Sequence, residues 1–187
     1  LAAAHFQAQG LLVRLVSFLP VPSAHTLPEG VDHVDLGPAV DLVWKGSRWN
    51  RRLAAHIHCL LRALYWRLRS HVIRLFLLLF WAPISREARP GRRHPSVGLL
   101  RWCVRGLSGP QAVLLDQALA THRPQRVLAM LSRTNVITCM ALWNSATHLV
   151  ISERNDPDRQ RLPDPWPRLQ RLLYQRADVV TANACLL

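Results

Sequence analysis

Acidic side chains are nearly missing from the centre of this 187-residue chain. Between Leu42 and Leu115 there are 14 Lys or Arg residues and one acid, Glu87. The formal net charge of +13 therefore belongs to that segment, because the remaining residues hold 10 basic and 10 acidic side chains. A segment of one sign cannot neutralise itself, which points to an anionic partner. Cysteine is sparse as well. Cys59, Cys103, Cys139 and Cys185 stand 36 to 46 residues apart, a spacing that excludes a CxxC redox pair or a zinc knuckle, and a chain of this length needs no disulfide framework. They read as buried thiols in a reducing compartment. There is no DxD-like metal site and no Ser-His-Asp or Cys-His arrangement. His56 and His58 cannot share a metal, since residues two apart on a helix point about 200° away from each other.

No basic n-region followed by an apolar run and a small-residue cleavage site is present, so no signal peptide is read. The chain opens on Leu1 rather than Met and closes in the apolar run Cys185-Leu186-Leu187; a longer protein is expected at both ends. At this length one core, and so one domain, is expected.

The outer thirds alternate helical and strand patterns. Residues 1–9 are helix formers ending at Gly10, a normal residue just past a helix end. Residues 11–18 are nearly continuous in apolarity and β-branched, as suits a strand buried on both faces of a parallel sheet. Prolines 20, 22 and 28 enforce a loop, and residues 31–36 alternate like a short strand. Further on, 126–131 predicts a strand, and Ser132 to Asn135 offer N-cap residues to a helix running through Trp143. Residues 148–152 predict the next strand and 153–165 a polar loop, with Asp164 as a helix cap. Trp166, Leu169, Leu172, Leu173 and Ala177 share one helical face, and 178–182 predicts a last strand. Short connections between such elements mean right-handed crossovers and a Rossmann-like α/β parallel sheet.

The middle differs. From Arg51 to Leu79, the residues Leu53, Ile57, Leu60, Leu61, Leu64, Leu68, Val72, Leu75, Phe76 and Leu79 recur at helical spacing and form a stripe about 120° wide. Arg51, Arg62 and Arg69 lie opposite it, Arg67 and Arg74 flank it, and Trp44, Trp49, Tyr65, Trp66 and Trp81 are interspersed. The run from Leu75 to Trp81, including Phe76 and Phe80, is apolar all round until Pro83 ends it. A second helical pattern covers Ser96 to Leu107.

Bounded by Arg74 and Pro83, that run is about half the roughly 20 apolar residues a membrane span needs. A nucleic-acid surface would place its aromatics on strand-borne stacking platforms, whereas here the charges oppose a leucine stripe. An interfacial helix combines an apolar face, an Arg face and Trp at the junction. The plain alternative is a stripe packed on the sheet with Arg in water. Through about Leu68 the two fit equally; from Leu75 to Trp81 the membrane reading gains, because one sheet face cannot cover an apolar surface on all sides.

Ligands of open parallel sheets bind beyond the carboxyl ends of the strands. Two such ends are Ser132-Arg133-Thr134-Asn135, whose helix start forms an anion site beside Arg133, and Ser152-Glu153-Arg154-Asn155-Asp156-Pro157. A helix cap and a local Glu153–Arg154 ion pair would explain the same residues without function. Their order adds a resemblance. Residues 123–132 resemble the "RPDVVLSF" strand of glycosyltransferase family 4, 150–157 the "VSERNDP" turn of a bacterial subset that builds polysaccharides or lipid-linked oligosaccharides, and 172–180 the "LYRRADxVV" junction. Residues 1–10 and 13–16 resemble its first helix and strand within a loose match over 1–37, with Leu11 where the family usually has His; 122–183 match well and 40–110 match nothing.

The resemblance implies the N-terminal, acceptor-side half of a two-domain GT-B enzyme that retains anomeric configuration without a bound metal or other cofactor. It implies Glu153 as the catalytic residue, with Ser132, Arg133, Asn135, Ser152, Arg154 and Asn155 contacting substrate. The glycine-rich loop would precede Leu1, and the donor domain that binds the nucleotide-sugar would follow Leu187, so this stretch alone is expected to bind donor poorly and catalyse little. Expected partners are a nucleotide-sugar, a lipid-linked or glycan acceptor and an anionic membrane surface met by Arg62, Trp66, Arg69, Arg74, Phe76, Phe80 and Trp81 within residues 44–110; nucleic acid is not among them. The expected location is cytoplasmic, peripheral on the inner face of a bacterial plasma membrane. A non-catalytic membrane-surface module and a basic nucleic-acid-binding protein are the competing functions.

Overall fold

The computed structural model describes residues 2–18, 27, 29–36, 52–91, 94–154 and 162–182, and their side chains except those of residues 2, 52–63 and 66. The chain is mixed α/β and divides into two compact units, residues 1–56 and 57–187, where length alone predicts one domain. Its strands form two small parallel sheets.

In the first unit, helix α1 (Ala2–Ala8) ends at Gly10, whose φ of 77° is the left-handed conformation expected there. Strands β1 (Arg14–Ser17) and β2 (Asp32–Asp35) pair in parallel from Arg14↔Asp32 to Ser17↔Asp35. An Arg14–Asp32 ion pair at 2.5 Å crosses this register. The expectation of a first strand buried on both faces fails: Leu15 is 40% exposed. Among the described residues of this unit, two four-residue strands and one short helix supply too little surface to cover both faces.

The second unit holds the core. Helix α2 (Arg52–Glu87) leads to the contacting pair α3 (Pro95–Ser108) and α4 (Pro110–His122). Gly109, at φ 67°, makes the tight turn between them, and Arg105 grips Asp116 through Nε at 3.0 Å and Nη2 at 2.5 Å. Then β3 (Arg126–Met130), α5 (Ser132–Ala141), β4 (His148–Glu153), α6 (Trp166–Leu173), a 3-10 turn (Tyr174–Arg176) and β5 (Val179–Ala182) follow. The sheet order is β3-β4-β5, all parallel. Leu149 and Ile151 of β4 are fully buried, while Leu128 of β3 and Val180 of β5 are largely exposed.

Helix α5 is the centre of this core, touching β3, β4, α3, α4 and α6. Its residues Asn135 through Met140 are all buried, and a helix enclosed on every side shows no polar face. Helix α4 has no counterpart in the sequence reading. The helix predicted to stop at Pro83 continues to Glu87. Proline there removes one N–H, but Ile84 and Ala88 beyond it are 3% and 1% exposed, and their burial offsets that loss. Residues Arg67–Glu87 thereby make a 21-residue helical stretch long and apolar enough, by length and composition, to cross a membrane, so the argument from Pro83 against a span falls.

The stripe of α2 also does not pack as a soluble helix would. Among the described side chains of α2, Ile73, Leu77 and Ile84, which lie off the stripe, are buried, whereas Leu64, Leu68, Val72, Leu75 and Leu79 of the stripe are exposed. On the buried side Gly106 of α3 permits close approach: a Cβ there would clash with Ile73 Cδ1. Arg69, expected at a membrane surface, lies against that same glycine.

Candidate functional site

Strand β4 ends at Glu153, at the carboxyl edge of the second sheet, as predicted. Its carboxylate does not stand free in a cleft. Ser132 Oγ donates to Oε1 at 2.6 Å, Tyr174 OH donates to Oε2 at 2.6 Å, and Gln170 Nε2 donates to Oε2 at 3.2 Å. Glu153 thus ties the start of α5 to α6 and the 3-10 turn. Burial, and then the bond to Glu153, push the Tyr174 hydroxyl well above its ordinary range, so it remains a donor.

The loop between β3 and α5 is built around Leu131, a non-glycine residue at φ 75° and ψ 137°. Its N–H donates to Ser152 O at 3.2 Å, and its carbonyl accepts from Asn135 N at 2.8 Å. Asn135 Nδ2 adds a second bond to Ser152 O at 3.1 Å and a weaker one to Tyr174 OH at 3.3 Å. These bonds hold Leu131 in a conformation that costs a side-chain-bearing residue about 1–3 kcal/mol. Strain of this kind at a strand end is a mark of a positioned turn.

The expected site residues therefore separate into two groups. Ser132, Asn135, Ser152 and Glu153 converge, but Asn135 and Ser152 are 0% and 7% exposed. Both are expected to contact substrate; they lie buried, with the Asn135 amide donating to the Ser152 carbonyl. Ser132 was also expected as an N-cap. The cap position is Leu131, with no side-chain cap bond, which frees the Ser132 hydroxyl for Glu153. Arg133 and Arg154 are exposed at the same edge, and the Arg133 guanidinium lies 4.9 Å from the centre of the Trp166 ring, a cation–π distance. Asn155 lies outside the described residues, as do Trp44, Trp49 and the side chains of Arg62 and Trp66. Asp164, predicted to cap α6, pairs with Arg168 at 3.2 Å.

Gln170, Tyr174 and Trp166 are the members that sequence reasoning missed. Gln170 and Tyr174 stand four apart, and Trp166 four before Gln170, so the three form a row that meets the apolar face at Trp166. That spacing was the available signal.

The opposite edge of the sheet is held by a different knot. Arg176, 8% exposed, donates through Nε to Leu142 O at 2.7 Å and through Nη2 to Ser145 O at 2.8 Å and Thr147 O at 2.6 Å. Asp178 accepts from Leu149 N at 2.7 Å and from Arg176 Nη1 at 3.3 Å, and these bonds, the Leu149 one first, hold its carboxyl below the usual carboxylate range. Cys103 and Cys139 are buried free thiols, pushed up by burial to about 11 and about 12.

Among the described residues no three His, Cys, Asp or Glu side chains gather as a metal group. A depression bounded by His94, Pro95, Val97, Gly98, Arg101 and Asn144 contains none of the expected site residues. No family model, no curated protein and no solved structure matches the chain.

Proposed function

We propose that the residue 57–187 unit is part of the acceptor side of a retaining sugar-transfer enzyme of the Rossmann-like, GT-B kind, with Glu153 orienting a sugar hydroxyl. The observation that carries this reading is the Ser132–Glu153–Tyr174 knot at the carboxyl edge of a parallel sheet. A carboxylate held by donors on both of its oxygens has a defined direction at the sheet edge. Arg133 and Arg154 beside it suit the phosphate of a lipid-linked sugar. The strained Leu131 turn and the likeness of residues 150–157 to a glycosyltransferase turn support the same edge. In this reading the nucleotide-sugar is bound by a further domain, and the chain works at the inner face of a bacterial plasma membrane.

The test is binding rather than turnover. The 187-residue chain is titrated with a water-soluble, short-chain prenyl-diphosphate sugar, followed by saturation-transfer NMR. The expected result is contact at the sugar ring, and an affinity loss of about tenfold, or about 1.4 kcal/mol, in Glu153→Gln at unchanged folding. Equal binding by wild type and Glu153→Gln would remove Glu153 from the site.

A further inference from the structure

The outer face of α2 is the largest departure from ordinary soluble surface in the described residues. Leu64, Leu68, Val72, Leu75 and Leu79 are spaced four, four, three and four apart and are 54–66% exposed. At about 100° per residue they fall in one continuous row, on the side away from Ile73, Leu77 and Ile84. Leu78, also exposed, widens it. Single exposed leucines are ordinary; a row of this length marks something that covers it.

Charge selects what does. From Arg52 to Arg86 the helix carries six arginines and no acid. Arg67 and Arg74 fall on one flank of the row, and Arg86 continues its line beyond Leu79, with Arg67 and Arg86 exposed. A second copy of the chain, seated face to face, would bring these like charges together, which costs affinity, and the helix's one carboxylate, Glu87, is already bonded to Ser96 Oγ. An anionic leaflet supplies both complements at once: acyl chains for the row and headgroup charge for guanidinium groups whose stems lie along it.

We infer that this face lies in the interface of an anionic membrane, with the axis of α2 along the membrane plane. The opposite face is already committed to protein. Ile73 and Leu77 are at most 1% exposed, Gly106 of α3 closes on Ile73, and Glu87 accepts from Ser96 Oγ at 2.5 Å. A spanning α2 would have to give up all three. The inference rests on α2 and α3 alone, so it stands or falls independently of sugar transfer.

The experiment is flotation of the full chain with vesicles of phosphatidylcholine alone and of phosphatidylcholine and phosphatidylglycerol in equal parts. The chain should float with the anionic vesicles, be released by alkaline carbonate, and lose more than about tenfold of its binding in Leu68→Glu/Leu75→Glu/Leu79→Glu, since each substitution replaces an apolar contact with a charge of the same sign as the headgroups. Those residues are exposed, so circular dichroism should be unchanged. If that variant does not fold, Arg67→Glu/Arg86→Glu replaces it and should lose most of the preference for anionic vesicles. Flotation unaffected by the substitutions overturns the inference, as does no flotation at all. A dimer in solution that the leucine substitutions dissolve, without vesicle binding, assigns the face to a second copy. Resistance to carbonate extraction overturns the in-plane orientation.

Discussion

The carboxyl edge of β4 and the outer face of α2 belong to one compact unit, yet they depart from folding rules in opposite ways. At the edge, polar groups that could face water are turned inward and bonded to one another: Glu153 to Ser132, Gln170 and Tyr174, and Ser152 O to Leu131 and Asn135. On α2, apolar side chains that could be packed are left outside. The first pattern fixes a geometry at the cost of backbone strain. The second leaves apolar burial unfinished among the described residues. A site needs the former, and a docking face the latter.

The sharpest way to break that comparison uses α2 alone. Leu77→Ala should cost about 2–5 kcal/mol, the range for emptying a packed position, because Leu77 is 1% exposed. Leu75→Ala, two residues away at 60% exposure, should stay within about 0.5 kcal/mol. Urea denaturation without lipid measures both. Similar losses at the two positions would mean that the outer row is packed in solution, and the contrast would disappear.

At the edge, Glu153→Ala should cost about 2 kcal/mol, since it strands the part-buried Tyr174 hydroxyl and frees Ser132 and Gln170. Glu153→Gln keeps the shape and one acceptor and should cost less than half as much. Denaturant midpoints compare them. Equal cost in both variants would show that the carboxylate itself, not its shape, holds the knot.

Sequence patterns made one half of this contrast legible. Residues 126–182 contain two crossovers whose strands and helices end within a few residues of their predicted bounds, because apolar period and strand length are local properties. The leucine row of α2 was equally plain as a period. What a period cannot give is which side of it the protein covers: the packed residues are Ile73, Leu77 and Ile84, and only the approach allowed by Gly106, more than thirty positions on, decides that. Pro83 misled for a similar reason, since tertiary burial of Ile84 and Ala88 outweighs one lost hydrogen bond. At the edge, Glu153 is legible from its place after a strand, but its partners come from three other elements, and no local pattern shows that Asn135 is buried.

Leu131 offers a smaller and opposite effect. At φ 75° it pays for its backbone conformation, and its side chain is 51% exposed. Leu131→Gly should therefore raise stability, by about 1 kcal/mol, where most substitutions lower it. A loss on thermal unfolding would mean that the side chain contributes more than its exposure indicates, and that the turn is not strained.

The smallest effect is expected at Asp178, on the sheet's other edge, where a carboxylate is bonded but remains 42% exposed. Its folded carboxyl is held below the usual range, chiefly by the Leu149 N–H and then by Arg176. A group depressed in the folded state contributes stability that is present above its unfolded value, near pH 4, and is lost as pH falls from there through the folded value. Asp178→Asn keeps an oxygen for Leu149 but does not titrate. The melting temperatures of variant and wild type should differ slightly at neutral pH and converge as pH drops below about 4. A gap that is constant across that window would mean that Arg176 is held by its three carbonyls alone.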